Sequence, residues 1–189
     1  MTLNKTDLLG FAAIIVIVAS VLFMGYEITG RVATDTAIVN VTIASNADIE
    51  FVQNFVDFGS GAVNTSEGNI ARINTEGTVE NGTWLSNTNN LVLRNVGNVN
   101  VSLTFQSDKT AEDFIGVGDA GFNYKVDGEH CIGNSMSEYT SFETSEPPTA
   151  CAGFEPTREV DLHVEILIPS EAGEGERTAT ITATGTTVT

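Results

Sequence analysis

Strict alternation of apolar and polar residues is the feature that most constrains how this chain can fold. From Val160 to Ile168, the residues Val160, Leu162, Val164, Ile166 and Ile168 alternate with Asp161, His163 and Glu165. A period of two sends successive side chains to opposite faces of a strand, one face for a core and one for water. The same pattern recurs at Val39, Val41 and Ile43 within Ala37 to Ala44, and at Val99, Val101, Leu103 and Phe105 within Asn98 to Gln106. It returns at Phe122, Tyr124 and Val126, and in Arg177 to Thr184, where Ala179, Ile181 and Ala183 face a row of threonines. Shorter strand candidates are Ile49 to Phe51, Phe55 to Phe58, Asn69 to Ile73, Leu91 to Val96 and Asp113 to Ile115. Between them lie turn clusters at Gly59-Ser-Gly61, Glu80-Asn-Gly82, Val96-Gly-Asn98 and Gly173-Glu-Gly175. Helical periodicity is absent from this part of the chain. Repeated strands with one apolar face predict an all-β, antiparallel β-sandwich, jelly-roll or immunoglobulin-like, over residues 37–189. Val96-Gly-Asn98 predicts a tight hairpin, since Gly97 and Asn98 both tolerate positive φ. Pro169 is expected to end its strand, because it cannot donate to a ladder.

A second feature sets the location. Leu8 to Tyr26 is an unbroken apolar run without a charged residue, and as a helix it spans ~28 Å, the thickness of a bilayer's hydrocarbon core. It exceeds the apolar stretch of a cleaved secretory signal, and small-x-small cleavage sites after Gly25, Gly30 or Ala33 are poor. The reading is a transmembrane signal anchor over 8–26, with a cleaved signal as its competitor. A head over residues 1–7 then lies in the cytoplasm, and a tether over 27–36 leads to the sandwich. Lys5 in the head is offset by Asp7, so positive-inside bias alone is weak. Downstream sequons and cysteines decide for an extracellular C-terminal domain.

Charge and cysteines narrow the function. Lys and Arg number 8 against 25 Asp and Glu, a net charge of −17, which excludes electrostatic binding to nucleic acid or anionic lipid surfaces. The acidic residues are dispersed, as on a solvated surface. Cys131 and Cys151 are the two cysteines, and an even count in an exported domain predicts a disulfide between them. Asn-x-Ser/Thr sequons make Asn40, Asn64, Asn81 and Asn100 glycosylation candidates; Asn4 has the motif too but sits in the cytoplasmic head.

A search for reactive constellations assigns no catalytic, cofactor-binding or metal-binding residue. Gly59-Ser60-Gly61 lacks the spacing of a nucleophile elbow. His163 falls on an outward strand position beside Asp161 and Glu165, where a surface histidine is the expected role. His130 adjoins Cys131 without a set of ligands around it. The acidic turns Gly118-Asp119-Ala120 and Asp127-Gly128-Glu129 offer oxygens but lack the alternating aspartates of a calcium loop. Trp84 is expected to plug the core.

Four stretches carry a resemblance: Glu27 to Val32 after the apolar run, VDFGSGAV (Val56 to Val63), LVLRNVGNVNVSLTF (Leu91 to Phe105) and EILIPSEAGEGERTATITATGT (Glu165 to Thr186). Together they resemble a group of uncharacterised archaeal membrane-anchored extracellular β-sandwich proteins. The Leu91 to Phe105 unit is also similar to strand–turn–strand units of biofilm-fibre and pilus-type subunits. The resemblance implies a membrane-anchored extracellular sandwich with no assigned activity. The expected function is therefore that of a non-enzymatic cell-envelope protein making structural or adhesive contacts. Its expected partners are the lipid bilayer, through the N-terminal helix, and other envelope proteins or further copies of itself. A filament subunit and a carbohydrate- or surface-layer-binding module are the alternatives.

Overall fold

The longest alternating stretch becomes the longest strand. The computed structural model describes residues 38–188 except 39, 128 and 134. The expected head, anchor and tether lie outside the described residues. Among the described residues no helix is long and apolar enough to cross a membrane. Ile43–Thr189 forms one compact unit. In chain order its strands are β1 (Ile49–Gln53), β2 (Ile70–Asn74), β3 (Val79–Glu80), β4 (Leu91–Asn95) and β5 (Val101–Ser107). After the short helix α1 (Ala111–Ile115) come β6 (Gly121–Val126), β7 (Thr140–Ser141), β8 (Thr149–Phe154), β9 (Glu159–Pro169) and β10 (Ile181–Thr187).

Among the described residues the strands named above pair antiparallel and build two sheets. Among the described residues the larger sheet has seven strands in the order β1-β4-β9-β2-β3, with β6 also on β9 and β7 on β6. The smaller sheet has the order β10-β5-β8. β9 organises the larger sheet because its length lets it serve three neighbours. On one edge the carbonyls of Arg158 and Val164 accept from the N–H groups of Asn95 and Thr75, so β4 and β2 follow one another along it. On the other edge the Asp161 carbonyl accepts from Asp127, continuing the β6 ladder. Buried Thr75 fills the gap between β2 and β4: its N–H donates to the Val164 carbonyl and its Oγ1 accepts the Val164 N–H at 3.0 Å. Both backbone polar groups of Val164 are thereby satisfied at that junction.

The two inner faces share one core. Val101, Leu103 and Phe105 from β5 meet Leu93, Tyr124, Leu162 and Val164 from the larger sheet, all buried. Phe105 packs edge-on against Tyr124 with centroids 5.7 Å apart, and Tyr124 stacks on Phe142 at 4.5 Å. Aromatic pairs in these geometries add to the stabilisation from buried area. This is the all-β, antiparallel, sandwich-type packing that the alternation predicts.

Several local expectations are corrected. The described part of Ala37 to Ala44 joins no strand, and Ile38, Val41 and Ile43 are 94%, 78% and 81% exposed. Phe55 to Phe58 is a loop. Asp113 to Ile115 is helical: the Thr110 side chain accepts from the Asp113 N–H at 3.1 Å, and Gly116 closes the turn in a left-handed conformation. The last strand begins at Ile181 rather than Arg177. Val96-Gly-Asn98 is no hairpin, because it carries the chain from β4 in one sheet to β5 in the other. Gly97 is required there for space, not for positive φ: a side chain would run into the Asn46 carbonyl and the Asp48 amide of the passing backbone.

Candidate functional site

The outer face of the larger sheet carries the densest polar organisation among the described residues. It follows from register. β6 and β9 pair Lys125 with His163 and Asn123 with Glu165, and Asp127 continues the series opposite Asp161 through its N–H bond to the Asp161 carbonyl, 2.9 Å. Alternation turns all six side chains toward the same face.

At one end lies a buried carboxylate. Glu165 is only 4% exposed despite its outward position, a correction to the exposed face expected for it. Arg72 Nε donates to Glu165 Oε2 at 2.5 Å and Asn123 Nδ2 donates to Oε1 at 3.1 Å. Ser141 Oγ then donates to Asn123 Oδ1 at 3.2 Å. The hydrogen bond to Glu165 is the main cause that raises the Arg72 pKa above its ordinary value. A buried charge is tolerated only when paired and hydrogen-bonded, and Glu165 has both supports.

In the middle sits a second group, positioned by a tight turn. Buried Asn74 accepts through Oδ1 from the N–H groups of Glu76 (3.0 Å) and Thr78 (2.9 Å), and Gly77 takes a positive φ. The turn holds Glu76 over the sheet, where Lys125 Nζ donates to Oε1 at 2.7 Å and Tyr139 OH donates to Oε2 at 3.0 Å. Lys125 also lies 5.0 Å from the Tyr139 ring centroid, within cation–π range. The Lys125 hydrogen bond is the largest cause holding the Glu76 carboxyl below its ordinary pKa. Burial, then the bond to Glu76, pushes the Tyr139 hydroxyl up.

At the other end, one ligand atom each from Asp127, Asp161 and His163 lie within 4.8 Å of one another. Glu76, Lys125, Val126, Asp127, Ser137 and His163 line an open hollow of about 230 Å³ beside them. His163 is half-buried, and its Nδ1 is fully buried without a hydrogen-bond partner among the described residues. Sequence reasoning placed Asp161 and His163 on one face but missed Asp127 as their neighbour. The pairing of β6 with β9 brings it there, and no local pattern encodes that pairing. Gly128, in the acidic turn after Asp127, lies outside the described residues, and Asp119 is not part of the cluster.

The other expected residues are dispersed. Cys131 and Cys151 form the expected disulfide, with Cα atoms 5.5 Å apart. The bridge ties β8 to the strand-like segment after Cys131, where the Ile132 N–H donates to the Gly153 carbonyl and the Met136 N–H to the Ala150 carbonyl. Of the sequon asparagines, Asn40 is exposed and Asn64, Asn81 and Asn100 are half-buried. Asn64 Oδ1 accepts from Ser66, and Asn81 Nδ2 donates to the Ile70 carbonyl at 3.2 Å. Trp84 is half-buried and covers Gly61 and Gly82, whose missing side chains make room for its indole.

No protein-family model matches the chain, no curated protein matches its sequence, and no solved structure matches its fold.

Proposed function

We propose that the chain is a non-enzymatic cell-envelope protein that holds a disulfide-closed β-sandwich, of jelly-roll or immunoglobulin type, outside the membrane for structural or adhesive contacts. The apolar run over 8–26 is its anchor, and the bilayer is its first partner. The observation that carries the reading is the exposed lead into the sandwich. Val41 and Ile43 have strand-type spacing, yet they are 78% and 81% exposed, Ile38 beside them is 94% exposed, and the described residues 40–48 enter no sheet. Exposed apolar segments with strand character mark contact sites on soluble domains. Among the described residues β1 pairs only with β4 and β10 only with β5, so there each sheet ends in a strand with one unpaired edge. The cystine supports an oxidising location.

The same exposed lead favours one alternative, a filament subunit in which a strand from one copy completes the sheet of the next. Fractionation of the host's cells with sequencing of the protein's N-terminus tests both readings. The anchored reading expects an intact Met1 in the membrane fraction, extractable only with detergent. A processed N-terminus in a high-molecular-weight extracellular polymer overturns it in favour of the filament. A soluble cytosolic product with free thiols overturns both.

A further inference from the structure

The geometry points to a divalent metal site, of the zinc class, on the outer face of the larger sheet, with Asp127, Asp161 and His163 as its protein ligands. The inference is independent of the envelope reading.

Two of the residues lie on β9 and the third directly follows its hydrogen-bonded neighbour β6. Asp161 and His163 are two apart on β9 and therefore share a face. Asp127 is held opposite Asp161 by the backbone bond from its own N–H. Their ligand atoms all lie within 4.8 Å of one another. A tetrahedral ion with bonds of ~2.1 Å spaces its donors roughly 3.4 Å apart, so side-chain rotation alone closes the set. Asp127 is exposed and can swing in, while the backbone ladder keeps its Cα in place.

The donor chemistry selects the ion. One imidazole nitrogen with two carboxylates is a borderline set: calcium and magnesium take oxygen ligands, whereas zinc accepts nitrogen and oxygen together. Three protein ligands leave a coordination position for water or an external group, and the hollow beside the cluster gives access to it. His163 Nδ1, buried and unpaired among the described residues, is the second sign of a ligand. A buried imidazole nitrogen without a partner costs stability unless something satisfies it. Lys125, the nearest cation along the face, is bonded to Glu76 and does not neutralise the two aspartates.

The test is a zinc titration of the full-length chain, stripped of metal, against a chromophoric chelator, with calcium in large excess as competitor. One zinc per chain, undisplaced by calcium, is expected. His163→Gln and Asp161→Asn should each weaken binding about tenfold or more, and Asp119→Asn, outside the cluster, should leave it unchanged. Circular dichroism checks each fold; Asp127→Asn, at an exposed position, carries the test should a β9 variant misfold. Cobalt loading gives a second readout: visible d–d bands in the wild type that vanish in Asp127→Asn. Absence of stoichiometric zinc overturns the site. So does displacement by calcium, or wild-type affinity in the variants, either of which marks diffuse attraction to a surface of net charge −17.

Discussion

The Asn95 side chain at the end of β4 donates to the Phe154 carbonyl of β8 at 3.0 Å, joining the two sheets by one buried hydrogen bond. The same amide donates to the Val99 carbonyl, and its Oδ1 accepts from the Gly97 N–H, so Asn95 also shapes the crossing between sheets. Asn95 is fully buried. Asn95→Ala removes the side-chain donor from two carbonyls, while the Gly97 amide keeps its bond to the Asp48 carbonyl, and should destabilise the domain by about 2 kcal/mol. Asn95→Asp should do no better, because a carboxylate cannot donate to either carbonyl. Urea denaturation of the purified variants measures both losses.

Tyr124 presents the opposite case. Its ring is fully buried between Phe105 and Phe142, but its hydroxyl has no partner among the described residues. Burial, with a smaller effect of Glu143, pushes its pKa up to about 12. Tyr124→Phe removes an unsatisfied polar atom and should stabilise by about 1 kcal/mol at neutral pH. The folded pKa lies above the unfolded value near ~10. The neutral phenol is therefore favoured by folding, and wild-type stability should fall as pH rises from about 10 toward 12. Stability curves across that range should be flatter for Tyr124→Phe, with Tyr139, raised in the same direction, supplying the remaining slope.

The strands that sequence reasoning found are those with one wet face. Val160 to Ile168 and Val101 to Phe105 announce themselves because polar and apolar side chains alternate along them. β8 does not, since most of Thr149–Phe154 is buried on both faces and its residues before Phe154 are small. Helix α1 has five residues, too few for a helical period to emerge. Val96-Gly-Asn98 was legible as a turn, but which sheet each flanking strand joins depends on Asn95 and Phe154 meeting across 59 residues. The candidate site divides in the same way. The shared face of Asp161 and His163 follows from spacing alone, whereas the place of Asp127 depends on a long-range register.

Arg72 and Glu165 test how the outer face is held. Arg72 keeps 40% of its side chain exposed while Glu165 keeps 6%, so loss of the arginine strands a buried carboxylate. Arg72→Met should cost about 2 kcal/mol, below the usual range for a buried pair because the arginine end is solvated. Glu165→Gln retains acceptor and donor atoms and should cost less. A double-mutant cycle on thermal unfolding should then show positive coupling, since removing both charges relieves the stranded one.

The disulfide supplies the last expectation. Cys131 and Cys151 are 20 residues apart in sequence, and the loop they close contains Tyr139, which donates to Glu76, and β7, which pairs with β6. Opening the bridge frees that loop in the unfolded chain, at a cost of about 3 kcal/mol in the chain-entropy model. It also loosens the segment that holds Tyr139 against the Lys125–Glu76 pair. Two changes should therefore appear together in the paired Cys131→Ser, Cys151→Ser variant. Unfolding shifts to lower denaturant, and the Glu76 carboxyl, followed by NMR titration, rises from its depressed pKa because it loses the Tyr139 hydrogen bond. A depressed pKa stabilises the fold above the unfolded value and is lost as pH falls through the folded one. The variant should accordingly show less acid sensitivity from this group below about pH 4.5, alongside its lower stability at neutral pH.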